Sequence, residues 1–322
     1  MDVVTETVPE RAPLRAPDAV LAAEVARRHY LGGESKVDIA SALGLSRFKV
    51  ARLLESARAS GIVRIEIVDR GGVDSELSAE LRDAYGLARC VVVDCADEPA
   101  LRRTRVGTAG AELLLDVVGP GDVLGLPWAR TLSALVEALP ALPAVPVVQL
   151  SGSMVIPGEH TPVDVVRAAA ALAGAEAHVY YAPFILDDAS SAAAMRRQPA
   201  VASALARVAE VTVAVVSIGA WRDGHSSIHD ALPPETRAEV AATGAVGEAL
   251  GVFFDEDGRE LHPELVDRMV TVDGAGLRGV REVLALATGP EKATAVRAFL
   301  LGGWGRSLVV DRALGRALAR RA

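Results

Sequence analysis

The segment ESKVDIASALGLSRFKVARLLESAR, residues 34–58, has the pattern of two short helices joined by a tight turn. Ser35 and Ser46 can accept hydrogen bonds from the free backbone amides at a helix start. Gly44, between them, permits the backbone conformation that a sharp turn requires. One face of the second helix is apolar, because Val50, Leu53, Leu54 and Ala57 recur at helical spacing. The segment therefore predicts a helix-turn-helix.

The other face of the second helix is basic. Arg47, Lys49 and Arg52 lie off the apolar face, near the helix start, where a recognition helix presents side chains to the major groove. Residues 19–64 hold eight Lys and Arg against four acidic residues, whereas the whole chain has a net charge of −8. This asymmetry favours a basic DNA reader attached to an acidic body over an ordinary solvated helix. We expect operator DNA to be contacted by Lys36, Ser46, Arg47, Phe48, Lys49 and Arg52.

The flanking sequence completes a small domain. We expect a first helix at Asp18–His29 with Val20, Leu21 and Val25 inward, and a strand at Ile62–Val68 after the recognition helix. Residues 1–17 are acidic and contain three prolines, so we interpret them as a disordered leader rather than a secretory signal. The predicted domains are 18–68 for DNA binding, a linker at 69–75, and an effector domain at 76–322.

Composition limits the remaining possibilities. The chain of 322 residues is 51% hydrophobic and only 4% aromatic, and no run of about 18 apolar residues predicts a membrane span. Cys90 and Cys95 fall on opposite sides of one predicted strand, so we expect neither a disulfide nor a metal site from them. We predict a cytoplasmic protein without a cofactor or a bound metal.

The rest of the chain alternates apolar strands with alanine-rich helices, which predicts a doubly wound, mainly parallel α/β sheet covered on both faces. The predicted strands are Cys90–Val93, Asp122–Leu126, Val145–Leu150, Ala177–Tyr180, Val211–Ile218, Met269–Val272, Val283–Ala287 and Ser307–Val310. The predicted helices lie near Glu76–Tyr85, Val106–Leu115, Thr131–Ala138, Pro162–Ala173, Pro199–Ala209, Pro234–Thr243, Lys292–Leu301 and Arg312–Arg320.

Ligands of such sheets bind in the loops that follow the strands. Three loops of this chain carry suitable residues: Arg130 and Thr131 at one helix start, small hydroxyl residues after Val147–Leu150, and Lys292 at another helix start. A helix start with a basic side chain suits a phosphate. The alternative is that all three are ordinary strand–helix connections, because glycine and hydroxyl residues are common in such turns.

Several other polar and aromatic residues have simpler interpretations. His225 and His229 are close in sequence, but no third ligand is apparent, so we favour surface histidines over a metal site. Trp221 and Trp304 are interpreted as packing residues. Asp255 ends an apolar run, and we place it near a ligand.

Taken together, five segments resemble the SorC family of bacterial transcriptional regulators, from about residue 18 to residue 322. They are IASALGLSRFKVARLL (39–54), GDVLGLPWARTL (121–132), QLSGS (149–153), GAVGE with FFDEDG (244–248 and 253–258), and GPEKATAVRA (289–298). The order and spacing of the five carry the resemblance.

The resemblance implies a winged helix-turn-helix and an effector domain with the fold of phosphosugar isomerases and deaminases. It also implies dimers or tetramers that respond to a phosphorylated sugar. The implied effector residues are Gly125, Trp128, Arg130, Thr131, Gln149, Ser151, Gly152, Ser153, Asp255 and Lys292. Pro127 departs from the family pattern and lacks both a hydroxyl and a backbone donor, so either a sugar or a sugar phosphate remains possible as the effector.

Two rival functions share this fold. One is a sugar-phosphate isomerase or deaminase with an appended helix-turn-helix, for which Asp255 or His225 would be the general base. The other is an oligomeric scaffold that has lost its ligand. The sequence offers no paired acid and base, so we favour a regulator.

Overall fold

The computed structural model describes residues 16–65, 72–95, 98–154 and 160–320. The chain divides into two compact units, Met1–Val68 and Asp69–Ala322. Its helices are α1 (Ala16–Ala26), α2 (Lys36–Leu43), α3 (Arg47–Ala59), α4 (Ser75–Tyr85), α5 (Pro99–Val117), α6 (Arg130–Ala138), α7 (Pro162–Ala173), α8 (Ala189–Arg196), α9 (Pro199–Ala206), α10 (Ser227–Ala231), α11 (Pro234–Ala242), α12 (Gly274–Gly279), α13 (Ala293–Leu301) and α14 (Arg312–Ala319).

Shorter elements complete the chain. A π-helical turn covers Arg27–Leu31, and 3-10 turns cover Arg207–Glu210, Glu264–Arg268 and Pro290–Lys292. The strands are β1 (Arg89–Val93), β2 (Leu124–Leu126), β3 (Val147–Gln149), β4 (Ala177–His178), β5 (Val213–Ser217), β6 (Gly219–Ala220), β7 (Gly247–Ala249), β8 (Val252–Phe254), β9 (Glu260–Leu261), β10 (Glu282–Ala287) and β11 (Ser307–Asp311).

In the first unit, the helix-turn-helix is present with the predicted caps. The Ser35 hydroxyl accepts from the Asp38 amide, and the Ser46 hydroxyl accepts from the Lys49 amide at 3.1 Å. Gly44 ends α2 in the left-handed conformation, with φ of 62°. The apolar faces of α1, α2 and α3 form one core, which contains Ala22, Val25, Ala26, Ile39, Ala40, Val50, Leu53, Leu54 and Ala57.

Two predictions in this unit need correction. Val20 is 70% exposed, so it is not a core residue, although Val25 is fully buried. Residues 62–65 form no strand; the Val63 amide instead bonds back to the Ala57 carbonyl. The remainder of the predicted strand, 66–68, lies outside the described residues.

The predicted domain boundaries fall partly outside the described chain. Of the predicted leader, only Ala16 and Pro17 are described, and both belong to α1. Of the predicted linker, residues 69–71 lie outside the described part. Val73 forms a bridge with Val93, and Asp74 caps α4. These residues therefore pack within the second unit.

The second unit contains a seven-stranded sheet of order β1-β11-β10-β5-β2-β3-β4, in which every pairing is parallel. Its central strands are buried on both faces. In β5, Val213 and Val215 belong to the core that includes α5, α6 and α7, whereas Ala214 and Val216 belong to the opposite core with α13 and α14. This alternation confirms the predicted doubly wound α/β fold.

A second sheet was not predicted. Strands β6-β7-β8-β9 form an antiparallel sheet, and strands of two or three residues are too short to show a clear period. The predicted strand Met269–Val272 is wrong, because Met269 and Thr271 form only isolated bridges with Ile185 and Ser151. The short helices α8, α10 and α12 were also missed.

The structure also describes both cysteines and the length of each helix. Cys90 and Cys95 are free thiols. In the described segments, the helices are all too short or too polar to cross a lipid bilayer.

Candidate functional site

A cavity of about 320 Å³ opens at the carboxyl ends of the central parallel strands. Pro127 directly follows β2, Ser217 ends β5 and Thr288 directly follows β10, and all three line the cavity. Because the strands are parallel, these three residues meet at one edge of the sheet although they are far apart in sequence. This is where α/β sheets bind ligands.

One side of the cavity is cationic. Arg102 and Arg103 come from the first turns of α5, and Arg130 is the first residue of α6. Neither Glu98 nor Ala129, the residues that precede these helices, makes a side-chain cap. The positive ends of two helix dipoles and three guanidinium groups therefore lie beside the same space, an arrangement that attracts anions.

Lys292 and Glu248 also line the cavity. The Lys292 Nζ donates to the Ile218 carbonyl at 2.7 Å. Burial lowers the pKa of Lys292 to about 8. The positive charges of Arg130 and Arg103 lower this pKa further, whereas the Glu248 carboxylate raises it. Burial also raises the pKa of Glu248, which accepts hydrogen bonds from Ser226 and Gly251. The cavity thus contains a buried acid with a raised pKa and a buried amine with a lowered one.

The loop between β10 and Lys292 is held by hydrogen bonds to a buried carboxylate. Asp311, at the end of β11, accepts from the Gly289 amide at 2.6 Å and from the Leu314 amide at 3.1 Å. It is 1% exposed. A loop held by the next strand of the sheet keeps Lys292 in place without a contact from the ligand.

The rest of the wall mixes apolar and polar groups. Phe184 and Leu250 supply buried apolar surface, and Ser151 and Thr131 supply hydroxyls. Trp128 also lines the cavity, and its buried indole Nε1 has no hydrogen-bond partner within the described chain. Burial lowers the pKa of His225, with help from Arg222, which favours the neutral form of this lining residue.

The predicted effector residues divide into two groups. Six line the cavity: Trp128, Arg130, Thr131, Ser151, Gly152 and Lys292. Four do not: Gly125, Gln149, Ser153 and Asp255. Whether the six bind an effector stays a prediction, whereas the positions of the other four have structural explanations.

Each of these four residues has a role in the backbone or the core. A Cβ at Gly125 would collide with Leu150 and Val211, so its glycine serves sheet packing. Gln149 is fully buried and bonds to the Ser151 carbonyl and the Tyr180 amide. Asp255 accepts from two amides of the β8–β9 turn, and Ser153 pairs through its backbone with residues 182 and 184.

Other lining residues were missed. The sequence placed the start of α5 at Val106, which left Arg102 and Arg103 outside the helix. Glu248 lies on an unpredicted strand. The interpretation of His225 and His229 as surface histidines is wrong, because His225 lines the cavity and His229 is only 7% exposed. Pro99 at the first position of a helix is the one signal that would have extended α5.

The first unit presents a separate polar face. Lys36, Ser46, Arg47, Phe48, Lys49 and Arg52 are all exposed. Phe48 is 84% exposed, which is unusual for a large aromatic side chain. Basic side chains beside the start of α3 are suited to phosphate and base contacts.

Known proteins resemble this chain in both of its units. Residues 71–319 match a family model described as "Putative sugar-binding domain". The transcriptional regulator LsrR of Klebsiella pneumoniae subsp. pneumoniae is 30% identical over 319 residues, covering 95% of each chain. The erythritol catabolism regulatory protein EryD of Brucella abortus is 30% identical over 309 residues, covering 94% of this chain and 96% of the relative.

Solved structures agree. The full-length sorbitol operon regulator SorC from Klebsiella pneumoniae superposes with a TM-score of 0.73 at 25% identity, covering 94% of this chain and all of that one. A domain of a possible sugar-binding transcriptional regulator from Arthrobacter aurescens TC1 gives a TM-score of 0.71 at 25% identity, over 78% of this chain and all of that one.

Proposed function

This chain belongs to the SorC family of sugar-responsive transcriptional regulators, and from that premise we propose that a phosphorylated sugar or polyol binds in its cavity and controls its affinity for operator DNA. The first unit is the DNA reader, and the second is the sensor. We assign the DNA contacts to the exposed basic side chains at the start of α3, and we place the protein in the cytoplasm, where its operator is.

The observation that carries the effector class is the charge of the cavity wall. Arg102, Arg103 and Arg130 converge with Lys292 on one small space, and guanidinium groups bind phosphate oxygens in pairs. Ser151, Thr131 and Ser226 add hydroxyls suited to a polyhydroxylated ligand, and the Glu248 carboxylate accepts from such a ligand. Pro127 lacks a backbone N–H, so the loop between β2 and α6 has one donor fewer for a phosphate. In this proposal the arginines therefore make most of the hydrogen bonds to the phosphate.

The control mechanism we propose is a population shift between arrangements of subunits. The protein forms a homo-oligomer, a dimer or a tetramer, because helix-turn-helix readers bind paired half-sites about one helical turn of DNA apart. The effector binds one arrangement more tightly than the other and so changes how often the recognition helices match the half-site spacing.

The test begins with DNA selected from a random duplex library by the full chain. Enriched duplexes should share a two-fold repeat, and their binding should change when sugars, polyols or their phosphates are added. The responding ligand is then compared with its unphosphorylated form by calorimetry. If no such compound alters either DNA binding or the thermal midpoint, the proposal fails.

A matched pair of variants locates the phosphate. Arg103 lines the cavity, whereas Arg105, two residues along the same helix, is exposed and does not. Arg103→Ala should weaken binding of the phosphorylated ligand about tenfold or more, because a charged hydrogen bond contributes roughly 1.5–3 kcal/mol. Arg105→Ala should leave it unchanged. Equal losses in the two variants would place the phosphate elsewhere.

A second candidate function is catalysis on the same ligand. The buried pair Glu248 and Lys292 provides the acid and base that the sequence had not revealed, with pKa values shifted toward neutrality. Incubating the protein with sugar phosphates and following products by NMR separates the two functions. Steady turnover that Glu248→Gln abolishes would favour an enzyme, whereas a regulator leaves the ligand unchanged.

A further inference from the structure

A second cluster of ligand-type side chains lies in the second unit, on the segment 223–230. The Nδ1 atom of His229 is 3.6 Å from Oδ1 of Asp223 and 3.4 Å from Oδ1 of Asp230. All three atoms lie within 4.8 Å of one another. One imidazole and two carboxylates form a common donor set for divalent transition metals.

The histidine of this cluster is the unusual member. His229 is 7% exposed, yet its buried Nδ1 has no hydrogen-bond partner in the described chain. Its backbone amide bonds to the Ser226 hydroxyl at 3.2 Å, and the Trp221 ring meets its imidazole edge-on at 5.0 Å between centroids. The ring is therefore held in one orientation, with an unused nitrogen facing two acids.

The distances fit a metal better than a hydrogen-bonded cluster. Zinc–nitrogen and zinc–oxygen bonds of about 2.0–2.1 Å place tetrahedral ligands roughly 3.3–3.4 Å apart. The two observed separations are close to that value and longer than the usual hydrogen bond. Asp230 Oδ1 also accepts from the Gly224 amide at 2.8 Å, which leaves it a second lone pair for a metal. The geometry points to a site for a divalent transition metal ion such as Zn²⁺, bound by Asp223, His229 and Asp230 with solvent completing its coordination.

A competing cation is already close to the cluster. Arg237 donates to Asp223 Oδ1 at 3.1 Å, but its other donors bond to the Leu232 and Asp230 carbonyls. The arginine thus neutralises part of the acidic charge from one side. It makes no hydrogen bond to the imidazole in the described chain, so it does not satisfy His229.

The position of the cluster suggests what the metal would do. Residues between its ligands, including His225, Ser226 and Ile228, line the cavity, and the Ser226 hydroxyl donates to the buried Glu248 at 2.8 Å. A metal that joins both ends of this segment would restrict the part of the wall that contacts an effector. Metal and effector would then alter each other's affinity, by reciprocity. This coupling rests on the proposed effector function, whereas metal binding itself does not.

The test uses the chelator-treated full chain, titrated with Co²⁺ and followed by visible absorption, then with Zn²⁺ by calorimetry. We expect one ion per chain and a spectrum of nitrogen and oxygen ligation, without the charge-transfer band that a thiolate from Cys90 or Cys95 would give. Asp223→Asn and His229→Gln should each weaken binding by at least the roughly 10–100-fold that loss of a supporting contact costs. Asp223 is exposed, so its variant is expected to fold even if the buried histidine variant does not.

His262 provides the matched control. Its imidazole Nε2 lies 3.5 Å from the Glu260 carboxylate on the surface, but it is not part of a three-ligand cluster in the described chain. His262→Gln should leave metal affinity unchanged. Absence of stoichiometric binding, a thiolate band, or equal affinity in wild type and Asp223→Asn would overturn the site.

Hydrogen exchange separates this inference from the proposed function. Co²⁺ should slow amide exchange in residues 224–228 of the wild type and leave Asp223→Asn unaffected. Such protection in a protein that binds no sugar phosphate would support the metal site while refuting the effector proposal. Effector binding without metal binding would support the effector proposal and refute the metal site.

Discussion

The two units of this protein expose their functional groups in opposite ways. The basic face of the first unit is built from residues 35–59, where two serine caps and one glycine set the helix directions. The cavity of the second unit draws on residues from Pro99 to Lys292, which only the sheet topology brings together. A convex surface made by neighbouring residues can be inferred from local sequence, whereas a concave site depends on contacts between distant segments.

The largest effect is expected from a mutation that tests whether one unit can unfold while the other stays folded. Ile39 is fully buried in a core of nine residues. Ile39→Ala should remove about 2–5 kcal/mol, comparable with the entire stability of so small a unit. DNA binding, measured by fluorescence anisotropy, should be lost, while ligand-dependent thermal stabilisation of the second unit should persist.

The exposed Val20 is the control for this experiment. Val20→Ala changes a residue that is 70% exposed, so its effect should stay within about 0.5 kcal/mol. Wild-type DNA affinity in Ile39→Ala, or loss of ligand binding along with it, would show that the two units do not separate in this way.

The fold was predictable where a strand is a continuous apolar run or a helix carries clear start and stop signals. Buried strands such as Val283–Ala287 are continuous apolar runs, and α7 has a Thr161 cap, a first-turn Pro162 and a terminal Gly174. The antiparallel strands β6, β7 and β9 were not predicted, because each is two or three residues long and none lies in an apolar run like those that indicated β2 and β3. Val20 was misplaced because α1 consists mostly of alanine and other apolar residues, with Asp18 and Glu24 as its charged positions, which leaves little contrast between its faces.

The cavity was only partly predictable, for a related reason. Arg130 and Lys292 stand at helix starts after strands, a position with a known chemical consequence. Glu248 has no such context in the sequence and reaches the cavity through a short strand. Asp255, which the sequence placed near a ligand, instead accepts from two amides of its own turn and does not line the cavity. Whether an acid lines the cavity therefore depends on contacts that the local sequence does not show.

The DNA-binding face supplies the next prediction. Arg47→Ala or Arg52→Ala should weaken binding to the selected duplex by about 1–3 kcal/mol if a base is contacted. If the contact is to a phosphate, the slope of log affinity against log salt should fall by about 0.9. Arg58→Ala, at the other end of α3, is the control and should have a smaller effect on both quantities. Equal effects along the helix would indicate attraction without a docked recognition helix.

The pH dependence of effector binding probes the cavity. The pKa of Lys292 is lowered to about 8, so the free protein loses this charge above pH 8. A bound phosphate favours the charged amine, and binding then takes up a proton. Affinity for a phosphorylated ligand should therefore fall by up to about tenfold per pH unit above pH 8, as measured by calorimetry. Lys292→Met should bind weakly, without this dependence.

The stability of the free protein should respond to the same lysine with the opposite sign. Between pH 8 and the ordinary lysine pKa of 10.5, the unfolded chain binds more protons at this residue than the folded one. Its contribution to the free energy of unfolding therefore rises with pH across that window. Lys292→Met should remove this rise, and an unchanged pH profile in the variant would assign it to another group.

The smallest expected effect concerns Ser46, and it tests whether this residue serves only as a helix cap or also lies against DNA. Its hydroxyl accepts from the Lys49 amide, so Ser46→Ala should cost about 1 kcal/mol of stability in the first unit. Ser46→Asp keeps the acceptor and should restore stability, yet it places a negative charge where a duplex would approach. If Ser46 faces DNA, the aspartate variant should be the more stable of the two and the weaker binder. Similar DNA affinities in the two variants would contradict a duplex at the start of α3, because a negative charge there would repel its phosphates.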